Sequence, residues 1–344
     1  MKIFLTGNLG YVGSVLGPLL QTQGHLVVGY DIGYYKDCLL SSFDENYRQI
    51  TKDVRDIELV DLEGIDAVIH LAGLSNDPLG ELLPSLTEEI NLKATLKIAK
   101  IAREAGVSRF IYASSQSMYG VSDSDSDLDE DLSNKNPLTT YAKTKWEAEL
   151  KLKELNTKFF TVCSFRPSTV FGVSPRLRCD IVFNNLVACA YTTNKIEIKS
   201  DGTPWRPVVH IQDVCAAFIA GINAPRELIG GRTYNVGIPD GNFTVRELAE
   251  AAQRSVRGSE LIFTGEHGSD SRTYRVSFNR ILTELKDYFT PTWNLEKGGI
   301  ELVNYFKEIN FSEQDFRGWK TIRLKQLNRL NEHNKLDENL RIRN

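Results

Sequence analysis

Three glycines at fixed spacing sit between a short apolar run and a helical one. The run is Lys2-Ile3-Phe4-Leu5, the turn is Thr6-Gly7-Asn8-Leu9-Gly10-Tyr11-Val12-Gly13, and the helical stretch is Ser14-Val15-Leu16-Gly17-Pro18-Leu19-Leu20. This order predicts strand, turn and helix, the arrangement that sets a pyrophosphate on the amides of a helix start. Gly7 suits the tight turn, Gly10 a close approach of backbone to phosphate, and Gly13 close packing of helix on strand, with Tyr11 and Val12 in the same loop. The spacing is Gly-x-x-Gly-x-x-Gly, one residue looser at the start than the common dinucleotide fingerprint. His25-Leu26-Val27-Val28-Gly29-Tyr30-Asp31 predicts the next strand. Its terminal Asp31 is placed to accept hydrogen bonds from an adenosine ribose, about 20 residues beyond the glycines. That carboxylate would repel a ribose 2′-phosphate and no Arg immediately follows it, so the pattern favours NAD over NADP.

Strands and helices alternate through the first half. Asp66–Ala72, Arg109–Ser115 and Phe159–Arg166 have the composition of buried strands, while Pro84–Ala105 and Tyr141–Leu155 carry helical periodicity. Repeated βα units predict an α/β fold, a Rossmann-type doubly wound parallel sheet whose ligands bind at the carboxyl ends of the strands. The glycine turn, Asp31, Gly73, Ser115 and Arg166 all fall at or near such ends. Beyond Pro167 the alternation becomes irregular. Short strands are expected at Lys195–Ile198 and Leu261–Phe263, and helices at Ile211–Asn223, Val245–Ser255 and Leu295–Phe306. The expected organisation is a dinucleotide-binding domain over 1–166, a smaller C-terminal α/β substrate lobe over 167–310 with a possible return of the chain to the first domain, and a solvated helical tail over 311–344.

The chain of 344 residues is long enough for a large core. Its net charge of −4 disfavours nucleic acid as the main partner. Five scattered cysteines form no CxxC pair and no metal spacing, as expected of a reducing compartment. With no apolar run of membrane length and no leader pattern, the expectation is a soluble cytoplasmic protein with no membrane partner. The acidic run Ser122–Asp131 lacks the glycine and flanking helices of a calcium loop and predicts a solvated segment, with no metal.

Tyr141-Ala142-Lys143-Thr144-Lys145 carries the chemistry. Tyr141 and Lys145 are one helical turn apart and share a face. A free phenol is a weak base at neutral pH; a neighbouring ammonium, aided by a nicotinamide charge, is expected to lower its pKa. Tyr141 could then take a proton from a substrate hydroxyl while hydride leaves the same carbon. Ser115, at the end of the preceding strand, could hydrogen-bond the same oxygen.

The glycine turn, Asp31, Tyr112-Ala113-Ser114-Ser115-Gln116-Ser117-Met118-Tyr119-Gly120 and the Tyr141/Lys145 pair together resemble the extended short-chain dehydrogenase/reductases, NAD-dependent enzymes of nucleotide-sugar chemistry. The resemblance runs from Met1 to about Phe306. It implies a catalytic set of Ser115, Tyr141 as acid/base, and Lys145 on the nicotinamide ribose. It places Asp53 and Val54 beside the adenine, Leu71, Ala72 and Gly73 under the cofactor phosphates, and Asn91 on a bracing helix at the cofactor site. It further implies a nucleotide-diphosphate sugar as substrate, contacted by Arg206, by Arg272, by Gln116, and by Thr169 in the place where the family often has Asn.

Where the family's dehydratases carry Asp-Glu after the catalytic hydroxyl, this chain has Gln116 and Ser117, and neither can act as a general acid or base. Elimination and decarboxylation are thereby disfavoured. The expected activity is epimerisation through a transient 4-keto sugar; alternatives are a 4-keto-sugar reductase of the same family and a non-catalytic NAD sensor. The family resemblance also implies a homodimer through Pro84–Ala105 and Tyr141–Leu155.

Overall fold

The computed structural model describes residues 1–43, 45–75, 77–122, 126–266 and 273–343. Its strands, in chain order, are β1 (Lys2–Thr6), β2 (Leu26–Asp31), β3 (Arg48–Thr51), β4 (Ala67–His70), β5 (Arg109–Ala113), β6 (Thr161–Pro167), β7 (Thr169–Phe171), β8 (Lys195–Ile198), β9 (Trp205–His210), β10 (Arg232–Val236), β11 (Asn242–Thr244) and β12 (Glu260–Phe263). Seven of these form one sheet in the order β10-β6-β5-β4-β1-β2-β3, with every neighbouring pair parallel. The strand order reverses direction between β1 and β4, and a crevice opens there at the carboxyl edge.

A parallel sheet covered on both sides needs apolar side chains on both faces, and the strands supply them by alternation. Ile3, Leu5, Val27, Ala67, Ile69, Ile111, Cys163 and Phe165 enter one core, with Val15, Leu16 and Leu20 of the helix Gly13–Thr22. Phe4, Val28, Tyr30, Val68, Phe110, Tyr112 and Val162 enter the other, with Ile98 and Ala99 of one helix and Ala148 and Leu152 of Thr140–Glu154. The periodic stretch from Pro84 forms Pro84–Glu88, one π-helical turn at Glu89–Ala94, then Thr95–Glu104.

The second lobe is built from the three-stranded sheet β11-β9-β7, the pair β12-β8, and the helices Val182–Thr193, Val245–Ser255 and Leu295–Glu308. Between these elements the chain returns to the main sheet as β10, hydrogen-bonded to β6.

Two segments depart from the solvated character expected of them. The helix Arg323–Glu332 and the residues after it pack on the second core through Leu327, Leu336 and Leu340. In the acidic run, residues 123–125 lie outside the described residues, but Leu128 is buried and bridged to Val276. Glu130, also buried, accepts from the Asn235 amide at 2.8 Å. Its neighbour Asp131 pairs with Arg280 at 2.6 Å. Three apolar or paired residues are enough to pin a run whose composition is otherwise hydrophilic.

Behind the catalytic edge, Arg166 and Glu149 form a buried pair at 2.5 Å, and Glu149 also accepts from Ser114 Oγ at 2.6 Å. The Arg166→Leu variant leaves that carboxylate buried without its cation. It should lose about 3–5 kcal/mol of stability in urea denaturation.

Candidate active site

The turn after β1 is held so tightly that side chains do not fit. Gly7 has φ +73°, and a Cβ there would lie 2.7 Å from the Ala72 nitrogen. A Cβ on Gly13 would lie 2.2 Å from the Gly7 carbonyl oxygen, and one on Gly10 3.1 Å from it. The turn is fixed by Gly7 N–H donating to Tyr30 at 2.9 Å and Gly10 N–H donating to Gly7 at 3.0 Å. It is also tied to the second lobe: the Tyr11 hydroxyl donates to the Gly172 carbonyl at 2.7 Å, and Ser174 Oγ to the Tyr11 carbonyl at 2.8 Å. The turn from Gly10 to Gly13 lines a cavity of about 700 Å³, while the helix amides of Ser14 and Leu16 are already spent on the Gly10 and Val12 carbonyls at 3.2 and 2.9 Å.

Gly7, Gly10, Tyr11, Val12, Gly13, Asp31, Asp53, Val54, Leu71, Ala72, Gly73, Ser115, Gln116, Tyr141, Lys145, Thr169 and Arg206 all line this one cavity. Residues from both lobes thus line the same cavity. Arg272 lies outside the described residues.

Asn91 braces the wall without lining it. It is absent from the cavity wall; its side-chain oxygen accepts from Leu74 N–H at 2.8 Å and its amide donates to the Leu74 carbonyl at 3.0 Å. Sitting in the π-helical turn, it braces the loop after β4 and so acts on the wall from behind. Gln116 likewise spends its amide nitrogen on the Arg166 carbonyl at 2.9 Å, while its oxygen is buried without a partner. β5 ends at Ala113, so Ser115 stands beyond the strand, as the cap of the short turn Gln116–Tyr119.

Burial governs the electrostatics. Asp31 accepts from Gly33 N–H at 2.7 Å and Leu9 N–H at 3.2 Å, yet burial pushes its pKa up to about 6. Lys145 donates to the Ala113 carbonyl at 2.8 Å, and burial pulls its ammonium down to about 8. The Tyr141 phenol is pushed up to about 12 by burial, against the lowering effect of the Ser115 hydroxyl. The phenol is therefore not lowered by the chain's own residues: desolvation outweighs the Ser115 hydrogen bond and the Arg178 charge.

Several wall residues carried no sequence signal: Tyr34, Tyr35, Asp77, Arg178, Asp180 and Arg323. Arg178 pairs with Asp180 at 2.8 Å and donates to Ser75 at 3.0 Å.

The family model described as the NAD dependent epimerase/dehydratase family matches residues 3–237. The chain belongs to this family. It is 24% identical to the UDP-glucuronate 4-epimerase of Thermodesulfobacterium geofontis, over 88% of this chain and 95% of that protein. It is 28% identical to the UDP-glucose 4-epimerase of Mycolicibacterium smegmatis, over 89% and 99%. Among solved structures, MoeE5 in complex with UDP-glucuronic acid and NAD matches with a TM-score of 0.75 and 25% identity, covering 90% of this chain and 99% of that one.

As a member of the NAD-dependent epimerase/dehydratase family, the chain is an enzyme, and its wall residues fit the cofactor. The glycine cradle leaves backbone amides open to a diphosphate, and each Asp31 oxygen keeps a lone pair for a ribose hydroxyl. Among the described residues no helix is long and apolar enough to cross a membrane. In the Gly13→Ala variant the methyl group must displace the Gly7 carbonyl. Thermal unfolding should show a loss of about 1–3 kcal/mol, and titration calorimetry should show weakened NAD binding.

Proposed function

We propose that the protein epimerises a nucleotide-diphosphate sugar at C4 with a retained NAD, Tyr141 serving as acid/base. The observation that carries this reading is the convergence of Ser115, Tyr141 and Lys145 with the glycine cradle on the wall of a single cavity. NAD, when bound, supplies a hydride acceptor and a positive charge. Gly7, Gly10, Tyr11, Val12 and Gly13 hold its diphosphate, Asp31 its adenosine ribose, Asp53 and Val54 its adenine, and Lys145 its second ribose. Leu71, Ala72 and Gly73 pass beneath.

Tyr141 rests as the neutral phenol, since burial disfavours the phenolate. Added positive charge beside it would lower that pKa, so that the phenol could give its proton to solvent and the resulting phenolate could take the proton of a sugar hydroxyl as hydride leaves the same carbon. Ser115 hydrogen-bonds the same oxygen and holds it in line. The sugar passes through a keto form and presents its opposite face before hydrogen is restored, so no net redox change accrues. Arg206 would bind the sugar's diphosphate through its planar fork, and Thr169 and Gln116 bound the sugar pocket.

The two positions after Ser115 are Gln116 and Ser117, neither of them an acid or base, which favours epimerisation over elimination. Ser117 accepts from Ser115 Oγ at 3.1 Å, and the Gln116 nitrogen is bound to backbone carbonyls. Of the nearby carboxylates, Asp77 accepts from Thr139 Oγ1 at 2.5 Å and Asp180 is paired with Arg178. The named relatives act on UDP-sugars, which favours UDP as the nucleotide. We further place the enzyme in the cytoplasm as a homodimer; its five cysteines are all free, and Leu150 is exposed on the helix Thr140–Glu154.

Supplied with UDP-glucose, UDP-galactose, UDP-glucuronate or UDP-galacturonate, the protein should interconvert one C4 pair without accumulating NADH. Sustained NADH consumption would indicate a reductase. Tyr141→Phe should lower kcat by about 10²–10⁴-fold, while mass spectrometry still finds NAD bound.

Asp31 adds a pH dependence. Its folded-state pKa lies above the ordinary carboxylate value, so ionising it costs the unliganded chain stability as pH rises from about 4 toward about 6. Ribose binding needs the ionised form, so the effect on affinity has the opposite sense. NAD affinity should fall as pH drops through about 6 and be about tenfold weaker at pH 5 than at pH 7. Calorimetry of Asp31→Asn should show weaker binding with that step removed.

A further inference from the structure

The last stretch of chain departs from the second lobe and crosses to the dinucleotide side, where its contacts gather on residues of the cavity wall. Arg323 is itself in that wall and is buried. Its guanidinium donates to the Arg176 carbonyl at 2.6 Å and the Lys320 carbonyl at 3.1 Å, and lies 4.7 Å from the centre of the Tyr35 ring. Its backbone N–H donates to Asp180 at 3.3 Å. Gln326 donates to the Tyr34 carbonyl at 2.9 Å, and the Tyr34 hydroxyl donates to the Leu340 carbonyl. Arg341 pairs with Asp56 and reaches Asp53 at 3.9 Å. The helix Arg323–Glu332 also packs against Asp77–Leu82, which follows β4.

The segment therefore spans both sides of the crevice. On one side it pins Tyr34 and Tyr35, which follow Asp31; on the other it meets the helix carrying Asp77, and Asp180 from the second lobe joins them. Tyr34, Tyr35, Asp77 and Asp180 line the same cavity as the glycine cradle, so widening that cavity around a dinucleotide would move the Tyr34–Tyr35 loop or the wall opposite it. Each such motion must break the hydrogen bonds above and lift Leu327, Leu336 and Leu340 out of the core.

We propose that residues 319–343 are a clasp that makes the bound dinucleotide slow to exchange, with Arg323 as its positioning residue. This rests on the NAD-retaining reading above and gives it a structural cause. An epimerase regenerates its oxidised cofactor in each turnover, so a closed clasp costs it no rate; an enzyme that must exchange cofactor each cycle would be throttled by one.

The test uses the full chain loaded with NAD radiolabelled in the adenine, chased with excess unlabelled NAD, at a temperature well below unfolding. Wild-type protein should release label slowly. Arg323→Ala should release it about tenfold faster or more, the change residing in the off-rate. Arg341→Ala, a substitution at a half-exposed rim position that leaves the core intact, should speed release in the same direction and serves where Arg323→Ala does not fold. A merely structural segment would lower the melting temperature of these variants without altering release from the folded protein. Release within about twofold of wild type in a folded variant overturns the clasp alone. Wild-type protein that binds no labelled NAD overturns the clasp together with the cofactor reading beneath it.

Discussion

The site depends on a contact that allows no side chain: the turn after β1 lying against the loop after β4. With Gly7 pressed on Ala72 and Gly13 on the Gly7 carbonyl, the helix Gly13–Thr22 begins flush with the sheet edge. The glycine turn then opens into the crevice that the strand order creates. The contact is maintained from behind. His70 joins Thr6 of β1 at 2.6 Å to Thr95 at 2.8 Å, and Asn91 clamps both polar backbone groups of Leu74. Burial and the nearby Lys145 keep His70 uncharged, with its pKa down to about 3, so this brace does not titrate in the physiological range.

Around the cradle, burial shifts three ionisable groups toward their neutral forms: Asp31 upward, Tyr141 upward and Lys145 downward. In such a cavity any charge brought in is weakly screened and acts strongly on these groups. Tyr141 is the clearest case. Burial keeps its phenol in the protonated form.

What could be read in the sequence was local. The glycine turn, the terminal Asp31 and the one-turn spacing of Tyr141 and Lys145 are set by short-range geometry, and the helices Ile211–Asn223 and Val245–Ser255 follow from periodicity alone. What could not be read was brought in from a distance. Arg178 and Asp180 sit in an irregular stretch with no motif and reach the cavity only because the second lobe folds over it. Tyr34 and Tyr35 look like ordinary loop aromatics until the segment around Arg323 packs on them. That segment's mixed charges suggested solvent, whereas a few apolar residues and one buried arginine suffice to dock it. Burial, the quantity that moves the Tyr141 pKa, is likewise set by tertiary packing.

The central claim is that hydrogen taken from a sugar carbon is returned to the same molecule within a closed site. A UDP-sugar deuterated at C4, turned over by the wild-type protein in ordinary water, tests this most directly. The account predicts that the C4-inverted product keeps its deuterium at C4, as read by NMR and mass spectrometry. Inverted product with hydrogen at C4, or label passing into a pool of free NADH, would contradict it.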